Sequence, residues 1–334
     1  MSLPAAEIPL GAIRFNSDTQ RLEYWNGDIW FQIQTFSSNL NGGTRGLFMG
    51  GDPGSNQGRF IEYVTISTAG NATDFGDMTE DRKYCSSCSS NTRAVVAGGE
   101  NPSGKHDEIE FVTISTTGDV TDFGKLLATR TYVSCAGNQT RGIIAGGYTD
   151  SSPYDNVIQL IALATTGNST DFGDLTKDNS NQGGTASPVR AIFAGGADWP
   201  TTIKTIEYVN IASEGNAIDF GEVYGSLYNN GATSSTRAVY SRGGTSPYKV
   251  MEYITMATGG NAVNFGEASV AIGWATGTSD TIRGVFGGGQ SPATTNTIDY
   301  IQIATQGDAV DFGDLTTQFH RSGGACSNRH GGLG

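Results

Sequence analysis

The chain has 334 residues, of which 48 are Gly and only 16% are charged, and its formal net charge is -13. An acidic excess of that size repels nucleic-acid backbones and anionic membranes, and no apolar run reaches the roughly 20 residues of a membrane helix. Met1 to Leu10 lacks the basic start and apolar middle of a secretory signal, so the sequence reads as one made and folded in a cytoplasm.

The first elements in chain order are three short strands, Gly11 to Phe15, Arg21 to Trp25 and Ile29 to Ile33. They are separated by Asn16-Ser17-Asp18-Thr19 and Asn26-Gly27-Asp28, both strong turn signals. This predicts a small β-meander over residues 1–35. Its aromatics, Phe15, Tyr24, Trp25, Trp30 and Phe31, are too many for three strands to bury by themselves. Either the meander packs on the rest of the chain or those five residues dock onto another one.

From there one unit recurs six times: an Arg, a short apolar stretch, Gly-Gly, a variable loop, a run like Ile61-Glu62-Tyr63-Val64-Thr65-Ile66, then Gly-Asn or Gly-Asp and Asp-Phe-Gly. The Gly pairs begin at Gly50, Gly98, Gly146, Gly195, Gly243 and Gly288, the phenylalanines are Phe75, Phe123, Phe172, Phe220, Phe265 and Phe312, and both series step by 45 to 49 residues. A period of that length made of short strands and glycine turns predicts propeller blades rather than a helical array. The Ile-Glu-Tyr run alternates as a strand does and carries β-branched and aromatic residues. The Gly-Asn pairs supply the positive φ of a two-residue hairpin turn. On this reading the Phe anchors an outer strand against the next blade, the Gly beside it lets the chain exit toward the centre, and Asp74, Asp122, Asp171, Asp219 and Asp311 bond turn amides. The repeated Arg45, Arg93, Arg141, Arg190, Arg237 and Arg283 are expected to pair with neighbouring carboxylates.

Stretches rich in small residues follow each Asp-Phe-Gly: Tyr84 to Asn91, Tyr132 to Gln139, Gln182 to Ser187, Asn230 to Ser235, Trp274 to Ser279 and Ser322 to Ser327. They suit innermost strands, where six chains crowd round an axis. The last has no Ile-Glu-Tyr run after it and fits as the inner strand of the first blade; Phe36 to Leu40 competes for that place. The expected fold is therefore all-β, a six-bladed β-propeller over residues 36–334 closed by N- and C-terminal strands, behind the N-terminal β-meander.

Gly-Gly after an apolar strand, with aromatic-bearing strands beyond, resembles the kelch propeller blade from about Phe36 to Gly334. Kelch blades usually carry a Trp in the outer strand, a role that the Phe of Asp-Phe-Gly takes here. The resemblance implies the kelch-like architecture and none of the kelch functions. A second resemblance covers nearly the whole chain. "GAIRFNSDTQRLEYWNGDIWFQI" (residues 11–33) is similar to a module of fibre, tail and other virion proteins of tailed bacteriophages, and the wording "IEYVTISTAGNATDFGDMT" (residues 61–79) resembles repeats in structural proteins of marine cyanobacterial phages. This implies a virion component, with other virion proteins and a host surface glycan or receptor as partners, and with self-association left open. A tail-fibre or adaptor role leads, a capsid decoration or head-fibre role is the alternative, and a polysaccharide-degrading tail enzyme or a lectin is the rival.

Little in the sequence points to chemistry, and the expectation is a non-enzymatic protein without metal or cofactor. Asp-Phe-Gly is the metal-binding tripeptide of protein kinases, but it recurs here and the other kinase segments are missing. Cys85, Cys88, Cys135 and Cys326 fall where other copies place Ser, Gly, Ala or Thr, so they read as small buried residues; Cys85 and Cys88 lack the second pair that zinc needs. The only histidines, His106, His320 and His330, do not suggest the convergent set of a copper-radical oxidase. What varies from copy to copy is the loop after Gly-Gly, where recognition on a rigid scaffold normally sits. Tyr148, Tyr154, Trp199 and Tyr248 in those loops are the candidate binding residues, because aromatic faces stack on sugars and anchor protein contacts.

Overall fold

The computed structural model describes residues 8–16, 21–32, 44–52, 58–151, 154–225, 231–241, 249–271, 273–289, 294–319 and 323–333. The chain divides into two compact units, Met1–Asn41 and Gly42–Gly334. Both are all-β, and among the described residues the one helical element is a short 3-10 turn, Gly331–Leu333.

In the larger unit the repeat folds into six four-stranded antiparallel sheets. With strands a to d named by their order across each sheet, sheet I is Gly324–Ser327, Arg45–Gly51, Gly58–Thr65 and Thr73–Asp77. Sheet II is Ser86–Ser89, Arg93–Ala97, Glu108–Thr113 and Thr121–Lys125, and sheet III is Ser134–Gly137, Arg141–Ala145, Asp155–Ala162 and Thr170–Asn179. Sheet IV is Gly183–Ala186, Arg190–Ala194, Thr205–Asn210 and Ile218–Glu222; sheet V is Ala232–Thr233, Arg237–Ser241, Val250–Thr255 and Val263–Glu267; sheet VI is Thr276–Ser279, Arg283–Gly287, Thr295–Gln302 and Val310–Phe319. Of the two segments competing for strand a of sheet I, the C-terminal one holds it: Gly324 pairs with Met49 and Ser327 with Gly46. Phe36 to Leu40 lies outside the described residues.

Every residue of every strand a is buried, which is why these strands carry Ser, Gly, Ala, Thr and Cys. Buried apolar residues form six clusters, each shared by two successive sheets. Phe75, Ile61 and Leu47 of sheet I pack with Val96 and Val112 of sheet II, and the series ends with Phe312 and Ile298 of sheet VI against Val64 and Phe48 of sheet I. A sheet between two neighbours is buried on both faces, so the c strands do not divide into an apolar and a polar side as a half-buried strand does.

The glutamate of Ile-Glu-Tyr shows this most clearly. Glu62, Glu110, Glu207, Glu252 and Asp299 are all buried, as is Gln159 at the same position of sheet III. Each accepts from the residue four beyond the Phe of the preceding sheet. Thr316 donates its N–H to Glu62 at 3.0 Å, Leu127 to Gln159 at 2.9 Å, Thr176 to Glu207 at 3.2 Å, Tyr224 to Glu252 at 2.8 Å and Ser269 to Asp299 at 2.8 Å. Glu110 accepts from the Thr79 hydroxyl and the Arg82 guanidinium. A buried carboxylate is tolerable because these donors replace water.

A bulge recurs beside it. Ile61 pairs with Gly76 and Glu62 with Asp74, so Phe75 is the extra residue; the register shifts at the same place in the other five sheets. The bulge turns the Phe side chain into the core between sheets and leaves Asp74 exposed. The aspartates of Asp-Phe-Gly therefore do not hold the turns. That is done by the Gly-Asn pair of the following sheet: Asp119 Oδ1 accepts from Asp77 N–H at 3.0 Å, and Gly118 N–H donates to Phe75 O at 2.8 Å. The same two bonds recur down the series to Asn71 with Asp314 N–H and Gly70 N–H with Phe312 O. The Gly after Phe serves this contact rather than an exit of the chain. Gly76 has φ +153°, and a Cβ there would lie 2.3 Å from Gly118 O.

The repeated arginines also differ from expectation. Among the described residues they form no ion pair with a carboxylate; each donates to backbone carbonyls just past strand c of the next sheet. Arg45 reaches Ile114 O at 2.9 Å, Arg141 reaches Ile211 O at 2.9 Å, and Arg283 of sheet VI reaches Ser67 O of sheet I at 3.0 Å. Except in sheet III, the guanidinium also lies 4.4 to 4.8 Å from the centre of the aromatic ring on its own strand c, as Arg45 does over Tyr63. Carbonyl dipoles and a ring face satisfy the cation, so a carboxylate is not needed.

Gln159 is a natural control for the buried acceptor. Glu62→Gln is expected to change stability by less than about 1 kcal/mol, whereas Glu62→Leu, which strands the Thr316 donors, costs about 2–4 kcal/mol in urea denaturation. Equal losses in the two variants would contradict the assignment.

Candidate functional site

In the smaller unit, Ile13–Asn16, Arg21–Trp25 and Trp30–Gln32 form a three-stranded antiparallel sheet. Its register pairs Ile13 with Tyr24, Phe15 with Leu22, and Tyr24 with Phe31. Those five residues share one face, and Tyr24 and Phe31 stack at 5.6 Å. Trp25 and Trp30 pair across the opposite face at 5.5 Å. There Glu23 is buried, accepting from Arg14 Nε at 2.9 Å and Asn16 Nδ2 at 3.0 Å, while the Arg14 guanidinium lies 4.2 Å from the Trp30 ring centre. The hydrogen bonds from Asn16 and Arg14 hold the Glu23 carboxyl below its ordinary range. The five candidate docking residues are thus split: Phe15, Tyr24 and Phe31 on an open apolar face, Trp25 and Trp30 on a face with its own polar network.

In the larger unit three of the loops after Gly-Gly take part in small ribbons among the described residues. Glu100–Asn101 pairs with Gly104–Lys105, Tyr148–Thr149 with Arg130–Thr131, and Ala197–Asp198 with Thr201–Thr202. Gly98 and Gly99, at φ +63° and +104°, make the turn that feeds the first of them. Under the turns sit polar side chains that the sequence reading did not single out. Arg130 donates to Gly146 O and to Asp155, both at 2.9 Å, and Asn179 donates to Gly195 O at 2.9 Å. Buried Arg82 bonds Gly98 O and pairs with Glu110.

Two of the four candidate binding residues come together. Tyr148 and Tyr154 meet edge to face at 5.7 Å, and Lys105 Nζ lies 4.7 Å over the Tyr148 ring while pairing with Asp150. Trp199 belongs to a separate hairpin, where it is 70% exposed. Tyr248 lies outside the described residues. The structure adds a second aromatic group. Tyr84, Tyr132 and Trp274 enter strand a at φ +56°, +58° and +69°, and the rings of Tyr84 and Tyr132 stack at 4.0 Å. Aromatic residues in the left-handed region are rare enough to mark a fixed position. Their signal in the sequence was a large ring heading a stretch of small residues.

His106 Nδ1 lies 3.0 Å from Glu108 and Nε2 lies 3.9 Å from Glu80. Burial pushes the Glu108 carboxyl up, but its hydrogen bonds from its own backbone and from His106 bring it below the ordinary value. Among the described residues no three His, Cys, Asp or Glu side chains group as a metal site. His320 lies outside them.

The strands a surround a cavity of about 40 Å³ lined by Cys88, Cys135, Thr185, Thr233, Ser279 and His330, among others. That volume admits roughly two or three waters. At its rim, His330 Nε2 lies 3.0 Å from Ser89 O, Nδ1 accepts from Gly332 N–H at 3.1 Å, and Gly331 N–H donates to Thr233 Oγ1 at 2.9 Å. All four cysteines are free and buried. Desolvation raises Cys85 and Cys326 to about 11. Cys88 is also raised, first by its hydrogen bond with Cys135 and then by burial.

In comparisons with known proteins, no protein-family model matches this chain and no curated protein does.

Two measurements follow from these environments. A disulfide reagent at pH 8 is expected to leave the native thiols unmodified and to titrate all four after unfolding in guanidinium, since all four are buried from the reagent and Cys85 and Cys326, raised to about 11, offer little thiolate. Rapid native labelling would contradict their burial. Burial lowers the His330 pKa against the raising effect of Ser89 O. The folded value thus lies below the unfolded one. Above pH ~6.5 the group has no effect, and as pH falls beneath that the unfolded chain binds a proton that the folded chain refuses, so stability drops. The urea midpoint should fall less between pH 7.5 and 5.5 in His330→Gln than in the unaltered protein.

Proposed function

We propose that the six sheets are the blades of a six-bladed kelch-like β-propeller, and that the chain is a non-enzymatic structural protein of a tailed-phage virion that presents its Gly-Gly loops for contact with a host surface or a neighbouring subunit. The observation that carries the reading is the fate of the repeated polar residues. The arginines, the buried acids and the Gly-Asn turns are all engaged between one sheet and the next, from sheet VI to sheet I as from I to II. Repetition of this kind makes a stiff scaffold and leaves the unrepeated loops, with Tyr148, Tyr154 and Trp199, as the surface free to specialise.

Assignment to a virion rests on the wording of residues 11–33 and of the repeats, and the open apolar face of the N-terminal sheet suits a docking element. Within that class a tail-fibre or adaptor role is favoured over capsid decoration, because an exposed loop aromatic such as Trp199 fits recognition better than lattice contact. Immunogold labelling of particles released from cells that make the chain tests the assignment. Label at the tail is expected; label at the capsid favours the decoration role, and label confined to cell debris refutes the virion reading. Incubation of the protein with host surface glycans is expected to bind them through Trp199 or Tyr148 without releasing new reducing ends; their release would establish an enzyme instead.

A further inference from the structure

The apolar face of the N-terminal sheet is built to be covered. Ile13 is 66% exposed, Phe15 63%, Leu22 39%, Tyr24 40% and Phe31 42%, and the strand register places them side by side. Among the described residues no charged side chain belongs to that face; Arg14 and Glu23 point to the other one, where they satisfy each other. Large side chains present about 150–250 Å² each, so these exposures leave on the order of 500 Å² of contiguous apolar surface, at the upper end of what a monomer shows water. The same unit also exposes Leu10 at 77% and Ile29 at 52%. Two faces of about 500 Å² set against each other bury about 1,000 Å² in all, the lower bound for a specific interface.

We propose that this face packs on the same face of a second copy of the chain, so that the protein is a homo-oligomer held through its N-terminal sheet. A uniformly apolar, uncharged patch is complementary to itself, as a symmetric interface requires. It also lets two chains of net charge -13 meet at a place where neither brings a charge. A partner of another kind would have to supply an apolar surface of matching area, whereas a second copy supplies it by construction. The proposal rests on the docking reading of this sheet and names its first partner.

The test is the mass of the full chain by sedimentation equilibrium, across a dilution series that starts at tens of micromolar. Two copies or more are expected, falling to one in the double variant Phe15→Ser, Phe31→Ser. The variant's circular dichroism and thermal transition should remain those of the intact six-sheet unit, which keeps misfolding from being mistaken for dissociation. A monomer at the highest concentration overturns the proposal, as does an oligomer unchanged by the double variant. Failure of docking is read separately: a variant that no longer self-associates yet still joins particles removes the docking role and leaves the oligomer standing.

Discussion

The fold depends on one arrangement repeated at every junction. A buried acceptor on strand c holds donors that lie four residues beyond the Phe of the preceding sheet, as Glu62 holds Thr316 and Asp299 holds Ser269. Burying a carboxylate between two sheets is costly unless each lone pair finds a donor, and here the donors belong to the neighbouring sheet. The penalty for separating two sheets is therefore electrostatic as well as hydrophobic. Phe75 and its equivalents supply the apolar part beside it, directed inward by a bulge that also sets the register of Asp-Phe-Gly.

Other ties act in the same direction. The arginine at the start of strand b reaches forward to the next sheet, while the Gly-Asn turn of that next sheet reaches back to the carbonyl of Phe. Each junction thus has a bond from strand b to the end of the next strand c, a bond from the next turn back to strand d, and a buried acceptor on strand c. The consequence for function is subtraction. Residues that look chemically promising when read singly, such as the recurrent acids and arginines, are taken up by structure, and the positions outside the repeated ties are those of the loops and the N-terminal sheet.

Much of this was legible in the sequence. The strands, the hairpins and the small residues of strands a follow from period, alternation and glycine placement, and the C-terminal strand was one of two candidates for the place it fills. The partners were not legible. Glu62 looks like the polar side of an alternating strand, because nothing local shows that both faces of its sheet are covered. The bulge that frees Phe75 shifts register by one residue and leaves no mark in composition, so Asp74 drew the role that belongs to Asn71 and its equivalents. Arg45 bonds a carbonyl, and carbonyls are identical in every residue, so no side-chain pattern could name Ile114. In the N-terminal sheet the five aromatics were visible, but only the register divides them between two faces.

Amide hydrogen exchange on the native protein tests the central claim most directly, by comparing the N–H groups of Gly70 and Thr316, which join sheet VI to sheet I, with those of Gly118, Gly167, Gly215, Gly260 and Gly307 at the other junctions. If every sheet is tied to the next in the same way, all of these amides exchange at a common slow rate that tracks global unfolding. Fast exchange at Gly70 and Thr316 beside slow exchange elsewhere would show that sheets VI and I part freely, and would contradict the account.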